Sequence, residues 1–145
     1  MFEFTTEPII ANSYMDLSEA ESYISHQPDT DMWDNYASDV KEFILVRGSL
    51  AIDSSMRFAG EKKDENQVLS FPRESDPSVP MQVKLALAMI CISLSNDELF
   101  SSVTSETIGK LSWDYSDVSR LIGEEAFALL KPLSSNTVSF KVGQN

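Results

Sequence analysis

Residues 80–95 read PMQVKLALAMICISLS, and the fold turns on this stretch. Proline is accommodated at the start of a helix, where its missing N–H has no intrahelical partner to lose, so Pro80 marks a first turn. Beyond it Val83, Leu87, Ile90 and Leu94 recur at three- and four-residue spacing, while Leu85, Ala88 and Ile92 cover a second face. A helix apolar on two sides is packed on two sides, so this one is central to a helical core. Its longest fully apolar run, Leu85 to Ile92, is eight residues. A membrane span needs about 20, so no membrane partner is expected.

Working outward, residues 16–24 (DLSEAESYI) place Asp16 three positions before Glu19, the spacing of a capping box. Leu17, Ala20 and Ile24, with Tyr23 beside them, form one face of a short helix that Pro28 and Asp29 end. A second helix is expected from Ser38 or Asp39 to about Ser54, burying Val40, Phe43, Ile44, Arg47 and Ala51. Gly48 inside it costs about 1 kcal/mol against alanine, which implies close packing against a neighbour. Residues 57–67 (RFAGEKKDENQ) form a polar connection, and 68–80 (VLSFPRESDPSVP), with three prolines, must be extended or turned.

After the central helix the period changes. Leu111, Trp113 and Tyr115 alternate with Lys110, Ser112 and Asp114 behind Gly109, which reads as a β-hairpin near 103–115. A last helix fits between about Val118 and Lys131, closed by Pro132. Its start is open, because Gly123 before Glu124 and Glu125 would serve equally as a cap. In residues 133–145 Val138, Phe140 and Val142 alternate with Ser139 and Lys141, as in a strand. The first thirteen residues, with Pro8 and no period, suit an extended arm. The expected fold is mainly α: one domain over 1–145, with a small four-helix core and hairpin in 14–132 and extended N- and C-terminal arms.

Charge bounds the function. The 145 residues carry 23 acids against 11 bases, a net charge of −12. Ten of the acids lie in residues 1–42 with Lys41 alone opposing them, a net of −9. Such a surface repels phosphate backbones unless its cations cluster. Arg57, Lys62 and Lys63 near Phe58 are the candidate cluster, diluted by Glu61, Asp64 and Glu65, and a solvated loop accounts for the same residues.

Catalytic chemistry has no foothold. The one cysteine, Cys91, sits in an apolar helix, and the one histidine, His26, in a polar turn. No nucleophile elbow or phosphate-cradling loop is present. Asp29 and Asp31 start like a calcium loop, but Trp33, Asp34 and Val40 stand where an oxygen ligand, the turn glycine and the bidentate glutamate are required. A solvated acidic loop is expected there. No enzyme activity, metal or cofactor is expected, and no signal peptide is visible at the N-terminus.

The order of the segments SYMDLSEAESYI (13–24), MRFAGEK (56–62), QVLSFPR (67–73), VPMQVKLALAMICISL (79–94) and SETIGKLSWDY (105–115) resembles the tailed-phage head-to-tail adaptor, or connector, family. Relatives of that family are also labelled DnaT-like single-stranded-DNA-binding proteins. The resemblance runs from Ser13 to about Tyr115. It implies a structural virion protein at the neck, made in the host cytoplasm. The protein would form a ring, usually a dodecamer, beneath the portal protein, with a tail or nozzle protein as a further partner. Double-stranded DNA would pass through without specific binding. The alternative function is single-stranded nucleic-acid binding.

Residue by residue, Tyr23 matches an aromatic at the end of the first helix. Phe71, Pro72 and Arg73 match a segment usually written with tryptophan first, which anchors the crossover onto the core. Gly60 and Gly109 match a turn and a hairpin glycine. The C-terminal arm, Val138, Phe140, Lys141 and Val142, would dock on the portal or a tail protein by adding a strand. The sequence departs from the family at EFILVRGSLAI (42–52), where alanine-rich helix is usual, and in the acidic segment after His26.

Overall fold

A computed structural model describes residues 3–97 and 122–135. These residues build five α-helices: α1 (Leu17–Ile24), α2 (Asp31–Asn35), α3 (Ser38–Ser55), α4 (Met81–Ser95) and α5 (Glu124–Leu130). The last runs into a 3-10 turn at Lys131–Leu133. Helix α4 is the stretch first quoted, begun by Pro80 at its N-cap. It packs against α1, α2, α3 and α5, which is why its apolar residues occupy more than one face. Val83, Leu87, Ile90 and Leu94 are buried, and so are Ala86, Ala88, Cys91 and Ile92. Burial in this apolar setting pushes the Cys91 thiol far up, so it stays protonated and unreactive.

Helix α1 keeps half of the expected capping box. Asp16 Oδ1 accepts the Glu19 N–H at 2.8 Å. The Glu19 carboxylate turns instead to Lys84 Nζ at 2.5 Å, tying α1 to α4. Helix α3 spans the expected residues and passes close to α4. A Cβ on Gly48 would stand 2.7 Å from Leu87 Cδ1, inside the contact distance of two carbons.

Two expectations need correction. The acidic segment after His26 is a short helix, α2, where a solvated loop was expected, because Trp33 is fully buried. Its indole Nε1 donates to Glu21 at 3.2 Å. Lys41 bonds the same carboxylate at 2.8 Å and stands 5.4 Å from the indole ring centroid. Partial burial raises the Glu21 pKa, but the Lys41 and Trp33 hydrogen bonds and the Lys41 charge outweigh it, so the net shift is downward.

The second correction is to the fold class, which among the described residues is helical without the expected β component. Among the described residues there is no strand, and antiparallel pairing is confined to the isolated bridges Phe58 with Ser134 and Lys62 with Arg73. Prolines at 72 and 77 deny the crossover the N–H groups a ladder needs. The hairpin positions 103–115, with Gly109, lie outside the described residues, as do Val138, Phe140, Lys141 and Val142. In the N-terminal segment the chain reverses between Glu3 and Asn12. Asn12 folds it back by accepting the Thr5 N–H at 3.0 Å and donating to Glu3 O at 2.8 Å. The open start of the last helix resolves at Gly123, which caps α5.

Candidate functional site

The crossover between α3 and α4 is organised by one side chain. Arg73 Nη2 donates to Phe58 O at 3.1 Å and to Gly60 O. Its Nε donates to Ala59 O at 3.1 Å and its Nη1 to Ser70 O at 3.0 Å. Four carbonyls gathered on one guanidinium draw the 58–60 turn against the 70–73 segment, a role that lysine's single ammonium could not fill. Gly60 sits in that turn at φ +82°, where a side chain is disfavoured. Gln67 braces the other side, donating from Nε2 to Leu69 O (2.9 Å) and Pro72 O (3.0 Å) and accepting the Asp64 N–H.

Beneath this loop lies an aromatic anchor. Phe71, which precedes a cis bond to Pro72, is 4% exposed. It packs edge-on against Phe58 at 4.7 Å and Tyr14 at 6.0 Å between centroids. The Tyr14 hydroxyl donates to Asp53 and accepts the Phe71 N–H at 3.3 Å, while Asp53 Oδ2 accepts the Ser70 N–H at 3.0 Å. Burial pushes the Tyr14 phenol well above its usual range, and the Asp53 charge adds to this. Burial also raises the Asp53 carboxyl. Tyr23 lies elsewhere, half-buried on α1 against the core.

The loop brings cations together. Lys62 Nζ rests on Gln67 O at 3.1 Å and Lys63 Nζ on Asp76 O at 2.6 Å. With Arg73, these three direct their charge at backbone carbonyls, whereas Lys41 and Lys84 are held by carboxylates on α1. Residues 57–59 pair with 133–135: Ala59 N–H donates to Leu133 O and Ser135 N–H to Arg57 O, both at 2.9 Å. That pairing carries Lys131, at the end of α5, to the same part of the surface. Arg57, Lys63 and Lys131 are exposed.

Acids are interleaved with these cations. Asp64 and Asp76 are turned to backbone amides, Oδ1 of Asp64 accepting the Asn66 N–H at 2.8 Å and Oδ2 of Asp76 the Arg73 N–H at 3.1 Å. Glu61, Glu65 and Glu74 are exposed.

Sequence reasoning found Arg57, Lys62 and Lys63 together but named the wrong aromatic. Phe58 is 5% exposed and belongs to the core. Among the described residues the accessible ring is Phe127, 45% exposed on α5 and one helical turn before Lys131, so the two share a face. Ala126 and Leu130 form the buried side of that helix, and the i, i+4 spacing of Phe127 and Lys131 was the available signal. Among the described residues, no three His, Cys, Asp or Glu side chains converge as a metal site would require.

A family model described as "Putative DnaT-like ssDNA binding protein" matches residues 3–143. The match overturns the expected head-to-tail adaptor assignment, since no adaptor family matches. The dodecameric ring, the portal and tail partners, the virion structural role and the passive DNA channel were implied by that resemblance and fall with it. No curated protein and no solved structure matches the chain.

Proposed function

The chain belongs to the DnaT-like single-stranded-DNA-binding family, and from that membership we propose that it binds single-stranded DNA on the surface formed by Arg57, Lys62, Lys63, Arg73, Lys131 and Phe127. The observation that carries this reading is convergence. In a chain of net charge −12, cations from three separated segments gather at one loop cluster, beside an exposed ring. Single-strand sites combine these two elements, cations tracking the backbone and an aromatic face on which any base can stack. The function is binding alone, with no chemical step and no cofactor.

The interleaved glutamates keep the contact small. Three exposed cations, at about 0.7 in the logarithmic salt slope per phosphate for single strands, give a slope of about −2. Affinity is then expected to fall roughly tenfold between 0.1 and 0.3 M salt. Fluorescence anisotropy with a labelled oligothymidylate reads this directly. The double variant Arg57→Glu/Lys131→Glu is expected to lose binding, and Phe127→Ala to lose about tenfold, since stacking contributes about 1–3 kcal/mol per base. Absence of salt-dependent binding by the unaltered protein overturns the proposal.

A further inference from the structure

Beside the cation cluster a cavity of about 510 Å³ opens between the N-terminal segment 6–16, the crossover 63–72 and the approach to α4 at 77–79. Sites for small organic ligands run from roughly 300 to 1,000 Å³ and are mostly apolar with a few polar groups, and this one has that character. Pro8, Pro72 and Pro77 give it flat hydrocarbon walls, and the buried rings of Tyr14 and Phe71 reach it from the core. Thr6 and Ser78 contribute hydroxyls, each able both to donate to and accept from a flat heterocycle's edge.

The charges are arranged unevenly. Lys63 is exposed and lines the cavity, with its ammonium held on Asp76 O. Asp16, Glu19 and Asp64 also line it, but their carboxylates are engaged, the first in capping α1, the second with Lys84 and the third with the Asn66 N–H. A phosphate inside would meet those acids, whereas a phosphate outside would meet Lys63. A neutral ring with an anionic tail is therefore favoured in one orientation, ring inward. One wall is built from strained backbone as well. Ile9 holds φ +75°, a left-handed conformation that β-branched residues avoid, and its carbonyl accepts the Val68 N–H at 2.8 Å. Strain of this kind persists where the surrounding structure enforces it, and here the hydrogen bond from Val68 holds Pro8 and Ile9 against the cavity.

We propose that this cavity takes one unstacked nucleobase of a bound strand, with the adjoining phosphate on Lys63. The proposal rests on the single-strand-binding reading and deepens it by giving the site a base pocket distinct from the Phe127 platform. Three measurements test it, all on the full chain. Anisotropy compares oligothymidylate with an abasic strand of equal length. With the stacking platform removed by Phe127→Ala, the protein is still expected to prefer the base-bearing strand by tenfold or more. Adding Ser78→Trp, which fills the cavity from an exposed position, is expected to lose most of that remaining preference. A strand carrying one 4-thiothymidine is expected to photo-crosslink within residues 6–16 or 77–79, a readout that needs no variant to fold. Equal binding of both strands by Phe127→Ala, a preference there that survives Ser78→Trp, or crosslinks confined to α5 would overturn the pocket and leave single-strand binding intact. Failure of the unaltered protein to bind either strand overturns both.

Discussion

At the scale of single residues, Tyr14 connects three parts of the chain. Its hydroxyl joins α3 through Asp53 and the crossover through the Phe71 N–H, and its ring packs on Phe71. Tyr14→Phe keeps the ring but leaves a largely buried carboxylate and a buried amide each short of a partner. A buried group left unsatisfied costs about 1–3 kcal/mol, so the variant is expected to lose about 2 kcal/mol in urea denaturation. The same residue sets an alkaline limit. Its phenol is held well above the ordinary value of 10.0, so above that pH the unfolded chain has released a proton that the folded chain keeps. Folding then takes up a proton, and stability falls as pH rises beyond about 10. Denaturation midpoints between pH 8 and 11 should fall less steeply in Tyr14→Phe than in the unaltered protein. An identical alkaline decline in both would show that Tyr14 does not govern it.

At the scale of elements, the decisive contact is α3 on α4. Gly48 was legible as a close-packing position because a mid-helix glycine costs about 1 kcal/mol that only a neighbour's approach repays, and Leu87 makes that approach. Gly48→Ala regains this propensity but forces a methyl to 2.7 Å from a fully buried leucine. Overpacking costs about 1–3 kcal/mol, so a net loss of about 1 kcal/mol is expected, rising steeply with Gly48→Val. A melting temperature raised by the alanine would mean that the helices part freely. Long helices were legible for the same reason: Val83 to Leu94 repeats its spacing over several turns. Helix α2, with five residues, is too short to show a period, and its aspartates disguised the buried Trp33 as part of a solvated loop. The crossover was legible as turned but not as ordered. Its order comes from Arg73 bonding carbonyls 13 to 15 positions away, and nothing local in the sequence marks that reach. Lys131 joined the candidate site only through the pairing of 57–59 with 133–135, across more than 70 positions.

At the scale of the whole molecule, the site works against the charge of the chain that carries it. Glu19 and Glu21 are bound to lysines, and Asp16 to a helix end, so part of the acidic first third has structural work. The net charge of −12 nevertheless remains, and at a distance a DNA strand meets repulsion. Which field the strand feels depends on screening. Near 0.1 M salt the Debye length is about 10 Å, short enough for the exposed cations at the loop to act almost alone. Near 0.01 M it is about 30 Å, and the strand then senses the whole protein. Counterion release strengthens binding as salt falls, whereas the unscreened global charge weakens it, so the two trends oppose each other only at low salt. Affinity is therefore expected to follow a slope of about −2 above 0.1 M and to flatten or turn over between 0.1 and 0.01 M. An anisotropy titration across that range decides the matter. A straight line continuing to 0.01 M would mean that the strand never meets the acidic surface, and would place that charge on the far side of the molecule from the bound DNA.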